Sequence, residues 1–334
     1  MEPIFAIAGR ITREFILPPL GVPLLDVAGG SALYAAGGLL LWEAEIGLLA
    51  RVGEDFPRAH LREIEAHGID TAGIQIVQQS LDLRAFYSYN AKFEGTRGSP
   101  VSQFARRGLT FPKTLLGYQS QREPAGEHGR PDAVASAGLQ IPASYLGARA
   151  IHLCPLDLGT QRHLINAFRA GAATTLTVDP SPDYMVPRQM KELRVALAGV
   201  TAFLPSEDEL RSLFWGQTYD LWEMAAGLSE SGCEVVVIKR GSSGQAVYDG
   251  RSKDKWEIPA YPARLADPTG VGDAFCGGFL AGYRSTYDPL QATLRANVSA
   301  SLKLEGSGAF YPLSTLSGLA EARLSVLKDL VRKV

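Results

Sequence analysis

The sequence is poor in residues that could staple it or cluster around a metal. Its 334 residues include three cysteines, Cys154, Cys233 and Cys276, far apart and outside any CxxC or Cys/His grouping. That spacing gives neither a disulfide framework nor a zinc site, so each reads as a small core side chain beside apolar neighbours. The five histidines show no HExxH or other ligand spacing and read as structural or surface residues. Neither sign of charge dominates: the formal net charge is −2, which offers no general attraction to nucleic acid or an anionic membrane. Long apolar runs are missing too. The most apolar, 32–42, falls well below the roughly 18 residues of a membrane span. The first residues lack the basic start of a signal peptide, so a cytoplasmic location is expected. There is no internal repeat and no low-complexity tract.

What is present is ordinary globular composition, 46% hydrophobic and 20% charged, enough for a core that needs no cross-link. The length fits two domains or one large α/β domain with an appendage. Residues 4–8 read as a buried strand ending at Gly9. Gly29 and Gly30 then lead into a small-residue helix over 31–41. Residues 46–52 read as a strand and 57–67 as a helix. From 72 to about 111 helical periodicity weakens and short strand-like pieces carry Phe86, Tyr87 and Tyr89, which predicts a β-rich insertion serving as a cover. The polar stretch 119–131 reads as an exposed loop. Strand and helix signals then alternate, with strands at 150–153, 174–178, 200–204 and 233–238 and a helix at 162–169. Two long helical patterns, 288–305 and 314–333, close the chain. Such alternation predicts a mainly parallel sheet with helices on both faces, whose ligands bind beyond the carboxyl ends of strands.

The richest segment is 267–282, DPTGVGDAFCGGFLAG. Glycines precede a helix starting near Gly272, and a helix start presents unpaired N–H groups and partial positive charge. Together they suit an anion such as phosphate. The amides of Gly270, Val271, Gly272 and Asp273 can hold charge on a transferred phosphoryl group, and Asp273 can accept a hydroxyl proton. On spacing alone, a glycine turn with an aspartate at a helix start remains an equal reading.

This run resembles the C-terminal signature of the PfkB or ribokinase family of sugar and nucleoside kinases, roughly DTxGxGDxFxGG. Asp267, Thr269, Gly270, Gly272, Asp273, Phe275, Gly277 and Gly278 match in order. The segment 49–55 after Gly29-Gly30 resembles the N-terminal signature, 205–209 occupies the place of the NxxE motif, and 237–244 resembles the strand and turn along the nucleotide. The chain has no GxxxxGK[ST] loop. The resemblance implies a three-layer α/β/α kinase domain over 1–334, with 72–111 as an approximate lid. It implies Asp273 as base, with Gly270, Val271 and Gly272 as anion hole. It implies Lys239, Gly241, Gly244, Thr269, Asn297 and Gly308 beside the nucleotide, and Glu14, Gly29, Gly30 and Tyr34 on the substrate side. ATP, Mg²⁺ organised by Glu209, a monovalent cation near Asp267 and Thr269, and a homodimer through the lid complete the expectation.

Three departures bear on function. Ser206 stands where asparagine is usual, and Glu209 reads either as a metal-organising carboxylate or as a first-turn residue favoured by the helix dipole. Glu14 aligns with an aspartate that grips sugar hydroxyls in relatives, and Arg10, Thr12 and Arg13 change the polarity around it. Tyr34 replaces an asparagine, which predicts a smaller or reshaped pocket. Lys239 either lies near the phosphates or only ends a strand. Arg84, Tyr87, Tyr89 and Lys92 are lid candidates that can meet substrate. The expected activity is phosphorylation of a sugar, sugar acid, cyclitol or nucleoside. The competing readings are a non-catalytic sensor of nucleotide or sugar and a kinase for a heterocyclic alcohol.

Overall fold

The first apolar run forms β1 (Phe5–Ala8) inside a ten-stranded sheet. A computed structural model describes residues 3–120 and 139–334, so most of the loop expected over 119–131 lies outside the described residues. On one side of β1 run β4 (Ile46–Gly53) and β5 (Ile74–Val77). On the other run β8 (Ala150–Leu153), β9 (Thr175–Val178), β10 (Ala202–Phe203) and β11 (Val235–Lys239), all parallel. The edge continues antiparallel through β12 (Gln245–Asp249), β13 (Lys255–Ile258) and β14 (Arg332–Lys333).

These strands are apolar throughout because both faces are buried. Phe5 and Ile7 enter one core while Ala6 and Ala8 enter the opposite one, and Val235 and Val237 part from Val236 and Ile238 in the same way, as a period of two requires. One face carries α4 (Leu158–Ala170), α5 (Met190–Leu197), α6 (Glu207–Leu213) and α7 (Leu221–Ser229). The other carries α1 (Ser31–Leu40), α2 (Arg58–Ala66), α8 (Val271–Thr286), α9 (Pro289–Leu304) and α10 (Leu319–Lys328). The architecture is the expected three-layer α/β/α sandwich. The helix expected over 314–333 is shorter than its pattern: Gly318, at φ 79, precedes α10, and 332–333 pair with the sheet edge instead. Among the described residues no helix is long and apolar enough to cross a membrane.

A second sheet has the order β3-β2-β6-β7, from β2 (Thr12–Leu17), β3 (Leu24–Gly29), β6 (Arg84–Tyr89) and β7 (Gly95–Thr96). The segment 72–111 therefore supplies two of these strands. The other two precede it in the chain, β5 joins the large sheet, and 100–106 forms a helix, α3 (Pro100–Arg106). Phe15, Leu17 and Phe86 pack with Phe104 and Leu115 into a small separate core. By alternation Glu14, Tyr87 and Tyr89 face the opposite way, toward the start of α8.

That start is held by close helix packing. A Cβ on Gly38 of α1 would lie 2.0 Å from the Ala274 carbonyl oxygen, and one on Gly277 of α8 would lie 1.8 Å from that of Ala35. Only residues without side chains let α1 and α8 approach so closely, which brings the loop after β2–β3 beside the first turn of α8.

Candidate active site

Gly270 caps α8 in the left-handed region at φ 71, and a side chain there would strike the Tyr34 ring at 2.1 Å. The Asp267 Oδ1 accepts the Thr269 amide at 2.9 Å, which shapes the turn leading into the helix. Gly272 and Asp273 occupy the second and third helical positions, whose N–H groups have no intrahelical acceptor. The positive end of a 16-residue helix thus opens beside a part-buried carboxylate. Burial pushes the Asp273 carboxyl up to about 6, with Lys239 working against the rise and Glu14 and Glu209 adding to it.

Lys239 ends β11, and its Nζ would lie 3.9 Å from a Cβ on Gly272. It donates to Asp179 Oδ1 at 2.7 Å, and its Nζ stands 3.7 Å from the Cys276 sulfur. Burial opposes the Lys239 charge, yet Asp179 raises its pKa overall, while burial lifts the Asp179 carboxyl to about 7. The lysine is thus a positioned cation beside the cradle as well as the end of a strand. Asp179 was not singled out from the sequence, although the Asp-Pro ending of β9 marks the strand end where ligands bind.

Glu209 and Ser206 form a reciprocal cap on α6. The Glu209 Oε2 accepts from the Ser206 amide and hydroxyl, both at 2.7 Å, and Ser206 Oγ accepts the Glu209 amide at 3.2 Å. One oxygen of Glu209 therefore serves the helix start. Among the described residues no group of three or more His, Cys, Asp or Glu could hold a metal ion. Glu209 and Asp179 nevertheless act electrostatically on Asp273 or on each other. Such a sparse carboxylate set fits Mg²⁺, which keeps waters and is usually held by one or two carboxylates plus phosphates.

On the substrate side the expected residues meet in one cluster. Tyr34 Oη donates to Glu14 Oε2 at 2.6 Å, and the Gly30 amide and Thr12 hydroxyl donate to Oε1 at 2.9 and 3.2 Å. A Cβ on Gly29 would lie 2.1 Å from the Glu14 carboxyl carbon. Glu14 and Tyr34 are each 1% exposed, and burial raises the Glu14 pKa against these hydrogen bonds. Tyr34 therefore reshapes the pocket from behind by holding Glu14, rather than by lining open space. Arg13 is committed elsewhere, paired with Asp26 at 2.8 and 2.6 Å. Of the four candidates on the second sheet, Tyr89 shares a hydrogen bond of 2.9 Å with Thr269, and Tyr87 has the Arg97 guanidinium 5.3 Å from its ring centre. Arg84 points the other way, bound to Asp82 and to the carbonyls of Thr114 and Leu116, and Lys92 is exposed in a turn. Period two separates Arg84 from Tyr87 and Tyr89.

The remaining expected residues are spread. Gly241, at φ 55, opens a short turn after β11 with free space around it, whereas a Cβ on Gly244 would lie 2.0 Å from the Ile258 carbonyl. Gly308 sits at φ 95 with only Leu24 nearby. Asn297, expected beside the nucleotide, is engaged within the protein here. It is 2% exposed, donates to Gln245 Oε1 at 2.7 Å and the Pro259 carbonyl at 2.8 Å, and accepts the Tyr261 amide at 3.0 Å. Its amide fastens the chain leaving β13 to α9.

Comparison with known proteins gives this site a context. The model of the pfkB family of carbohydrate kinases matches residues 130–316. A cytidine kinase of Thermococcus kodakarensis is 28% identical over 292 residues, which cover 86% of this chain and 91% of that protein. A nucleoside kinase of Methanothermobacter thermautotrophicus is 25% identical over 280 residues, 82% and 78% of the two chains. The fold is similar to that of aminoimidazole riboside kinase from Salmonella enterica, crystallised with aminoimidazole riboside and an ATP analogue, at a TM-score of 0.66, 15% identity, and coverage of 96% of this chain and 99% of that one.

Proposed function

This chain belongs to the pfkB family of carbohydrate kinases, and we propose that it transfers the γ-phosphoryl group of ATP to a hydroxyl of a nucleoside or a related sugar. The observation that carries the reading is the carboxylate of Asp273, lifted to about 6, at the lip of a helix start where the Val271 amide is turned to the Pro268 carbonyl and the Gly272 and Asp273 amides have no intrahelical acceptor. A carboxyl of that pKa is deprotonated at neutral pH yet basic enough to take a proton as it is released.

In the proposed step the acceptor hydroxyl oxygen attacks the γ-phosphorus. Its proton passes to Asp273, the bond to the β–γ bridging oxygen breaks, and ADP leaves with that electron pair. The amides of Gly272 and Asp273, with the ammonium of Lys239, stabilise charge on the moving phosphoryl oxygens. Glu209 would help hold Mg²⁺, which would supply neutralisation of the charge on the nucleotide phosphates. Glu14 orients an acceptor hydroxyl, and Tyr34 fixes the Glu14 carboxylate. The second sheet serves as a lid, with the Tyr89–Thr269 hydrogen bond tying it to the turn before α8. Closing it excludes water and limits loss of ATP to hydrolysis.

A nucleoside acceptor is supported by two features. The named activities of the cytidine and nucleoside kinases belong to relatives that align along most of this chain. The Arg97 guanidinium lies over the Tyr87 ring, 5.3 Å from its centre, and this pair of flat groups can stack with a base. The test is coupled ADP release with Mg-ATP across nucleosides, pentoses, hexoses, sugar acids and inositols. Rates with nucleosides well above those with free sugars support the assignment. A preference for a free sugar or sugar acid overturns the nucleoside part and leaves the kinase.

A further inference from the structure

Lys303 lies in the last turn of α9 and is 0% exposed, as is Asp267. A lysine so buried is strongly unfavourable unless its ammonium is paired. Its Nζ donates to the Gly306 carbonyl at 2.8 Å and to the Asp267 carbonyl at 3.4 Å. It stands 3.9 Å from Asp267 Oδ2, an oxygen with no hydrogen-bond partner among the described residues, and 5.4 Å from the centre of the Tyr34 ring. Two carbonyl oxygens, a carboxylate and an aromatic face make a cage suited to a cation stripped of water.

Every wall of this cage belongs to the structure behind the start of α8. The other oxygen of Asp267 holds the Thr269 amide. The amides of Ala266 and Asp267 donate to the Leu304 carbonyl at 2.8 and 3.1 Å. The Tyr34 ring is the surface against which Gly270 closes. The ammonium thus joins three pieces of chain, the end of α9, the loop at Gly306 and the turn 267–270, at the point where the turn sets the direction of the Gly272 and Asp273 amides.

We infer that Lys303 is a built-in cation: its tethered ammonium fills the position that a free monovalent ion would need to occupy beside Asp267, and so makes the shape of the turn 267–270 independent of potassium. Lys303 is a positioning residue, since it touches the turn and not the reacting atoms. The monovalent-cation site expected at Asp267 and Thr269 is, on this inference, already occupied by the protein itself. Burial lowers the Lys303 pKa to about 8, against the pull of Asp267 and Glu14, so the ammonium stays mainly charged at neutral pH. The effect on rate rests on the kinase reading above. The effect on the fold does not.

The test compares wild type, Lys303→Met and the double variant Lys303→Met/Asp267→Asn. Each is melted, and assayed with Mg-ATP, in tetramethylammonium chloride and then with potassium or ammonium added. Wild type is expected to keep its Tm and its rate within about twofold in all three salts. Lys303→Met is expected to lose about tenfold or more in rate without a small cation and to recover most of it with potassium or ammonium. Its Tm should rise with the same ions, because a ligand that binds only the native state stabilises it. The double variant, with no charge left to pair, should lose the Tm response. A wild type that needs potassium, or a Lys303→Met protein whose Tm and rate ignore small cations, overturns the inference. If Lys303→Met does not fold in any salt, the potassium response of wild type decides alone. If wild type phosphorylates nothing, the kinase reading fails and the melting comparison still decides this one.

Discussion

Tyr34 touches both halves of the site: its hydroxyl donates to Glu14 Oε2 at 2.6 Å, and its ring is what a side chain on Gly270 would meet at 2.1 Å. One buried side chain thereby connects the proposed acceptor carboxylate with the turn that opens the anion cradle. An asparagine at this position could make a hydrogen bond but could not fill the space behind Gly270.

Tyr34→Phe separates these two functions. The ring stays, and Glu14 loses its shortest hydrogen bond while remaining buried. An unsatisfied buried oxygen costs about 1–3 kcal/mol, so the Tm should fall. The KM for the acceptor should change severalfold while the KM for ATP stays within about twofold. Steady-state kinetics with each substrate varied in turn, beside a melt, checks both.

Gly270→Ala and Gly308→Ala form a pair. Both positions have positive φ, at 71 and 95, so both variants meet backbone strain of about 1 kcal/mol or more. Space differs: the new methyl would strike the Tyr34 ring at Gly270, but at Gly308 it meets only Leu24 at 3.6 Å. Urea unfolding should show the larger loss for Gly270→Ala, and only that variant should also lose phosphoryl transfer by tenfold or more, by about the scale of a displaced catalytic turn.

The pH dependence follows from Asp273. Its folded-state carboxyl titrates at about 6, and the proposed base works only when deprotonated. Below that pH, kcat/KM should fall about tenfold per unit, and above it the profile should flatten. Asp179, raised to about 7, and Glu14, raised by burial, are the other carboxyls of the site shifted upward. Asp179→Asn should keep the acid limb if Asp273 causes it, and loss of the limb in that variant would transfer the assignment to Asp179.

Ser206→Ala breaks the reciprocal cap on α6 and should lower stability by about 1 kcal/mol. It also removes the hydroxyl donor from Glu209 Oε2 while the backbone amide of residue 206 keeps the other short hydrogen bond, so the Mg²⁺ concentration needed for half-maximal rate should shift. Ser206→Asn retains a good N-cap residue and should melt close to wild type. A Mg²⁺ response identical in all three proteins would argue that Glu209 serves the helix alone.

The parts of this site that the sequence displays are those that lie together in the chain. The stretch Asp267 to Asp273 carries its turn, its helix start and its carboxylate within seven residues, so local rules suffice. The sandwich was legible for a similar reason, because strand and helix periods alternate locally. The second sheet was assigned to 72–111 because pairing such as Arg13 with Arg84 leaves no mark in either segment. Glu14 and Tyr34 were both named, but as independent substrate contacts. Nothing in their separate surroundings shows that each is the other's partner. Asn297 is expected at the nucleotide for its place in the chain, and nothing in that place shows that its amide also bonds the Pro259–Tyr261 segment. Lys303 was missed, although a signal existed. Ala292, Ala296 and Ser299 form the buried stripe of α9 at helical spacing, and Lys303 continues it. A lysine on an inward stripe must find an internal anion or be neutral.

The most direct measurement of the central claim is single-turnover phosphoryl transfer from Mg-ATP to the acceptor found in the substrate panel, with wild type beside Asp273→Asn. The variant keeps the size of the side chain and removes its basicity. The expected result is a rate lower by a factor of about a hundred or more, with ATP binding unchanged and the acid limb gone. An Asp273→Asn protein that transfers phosphate as fast as wild type would contradict the proposed role of this carboxylate.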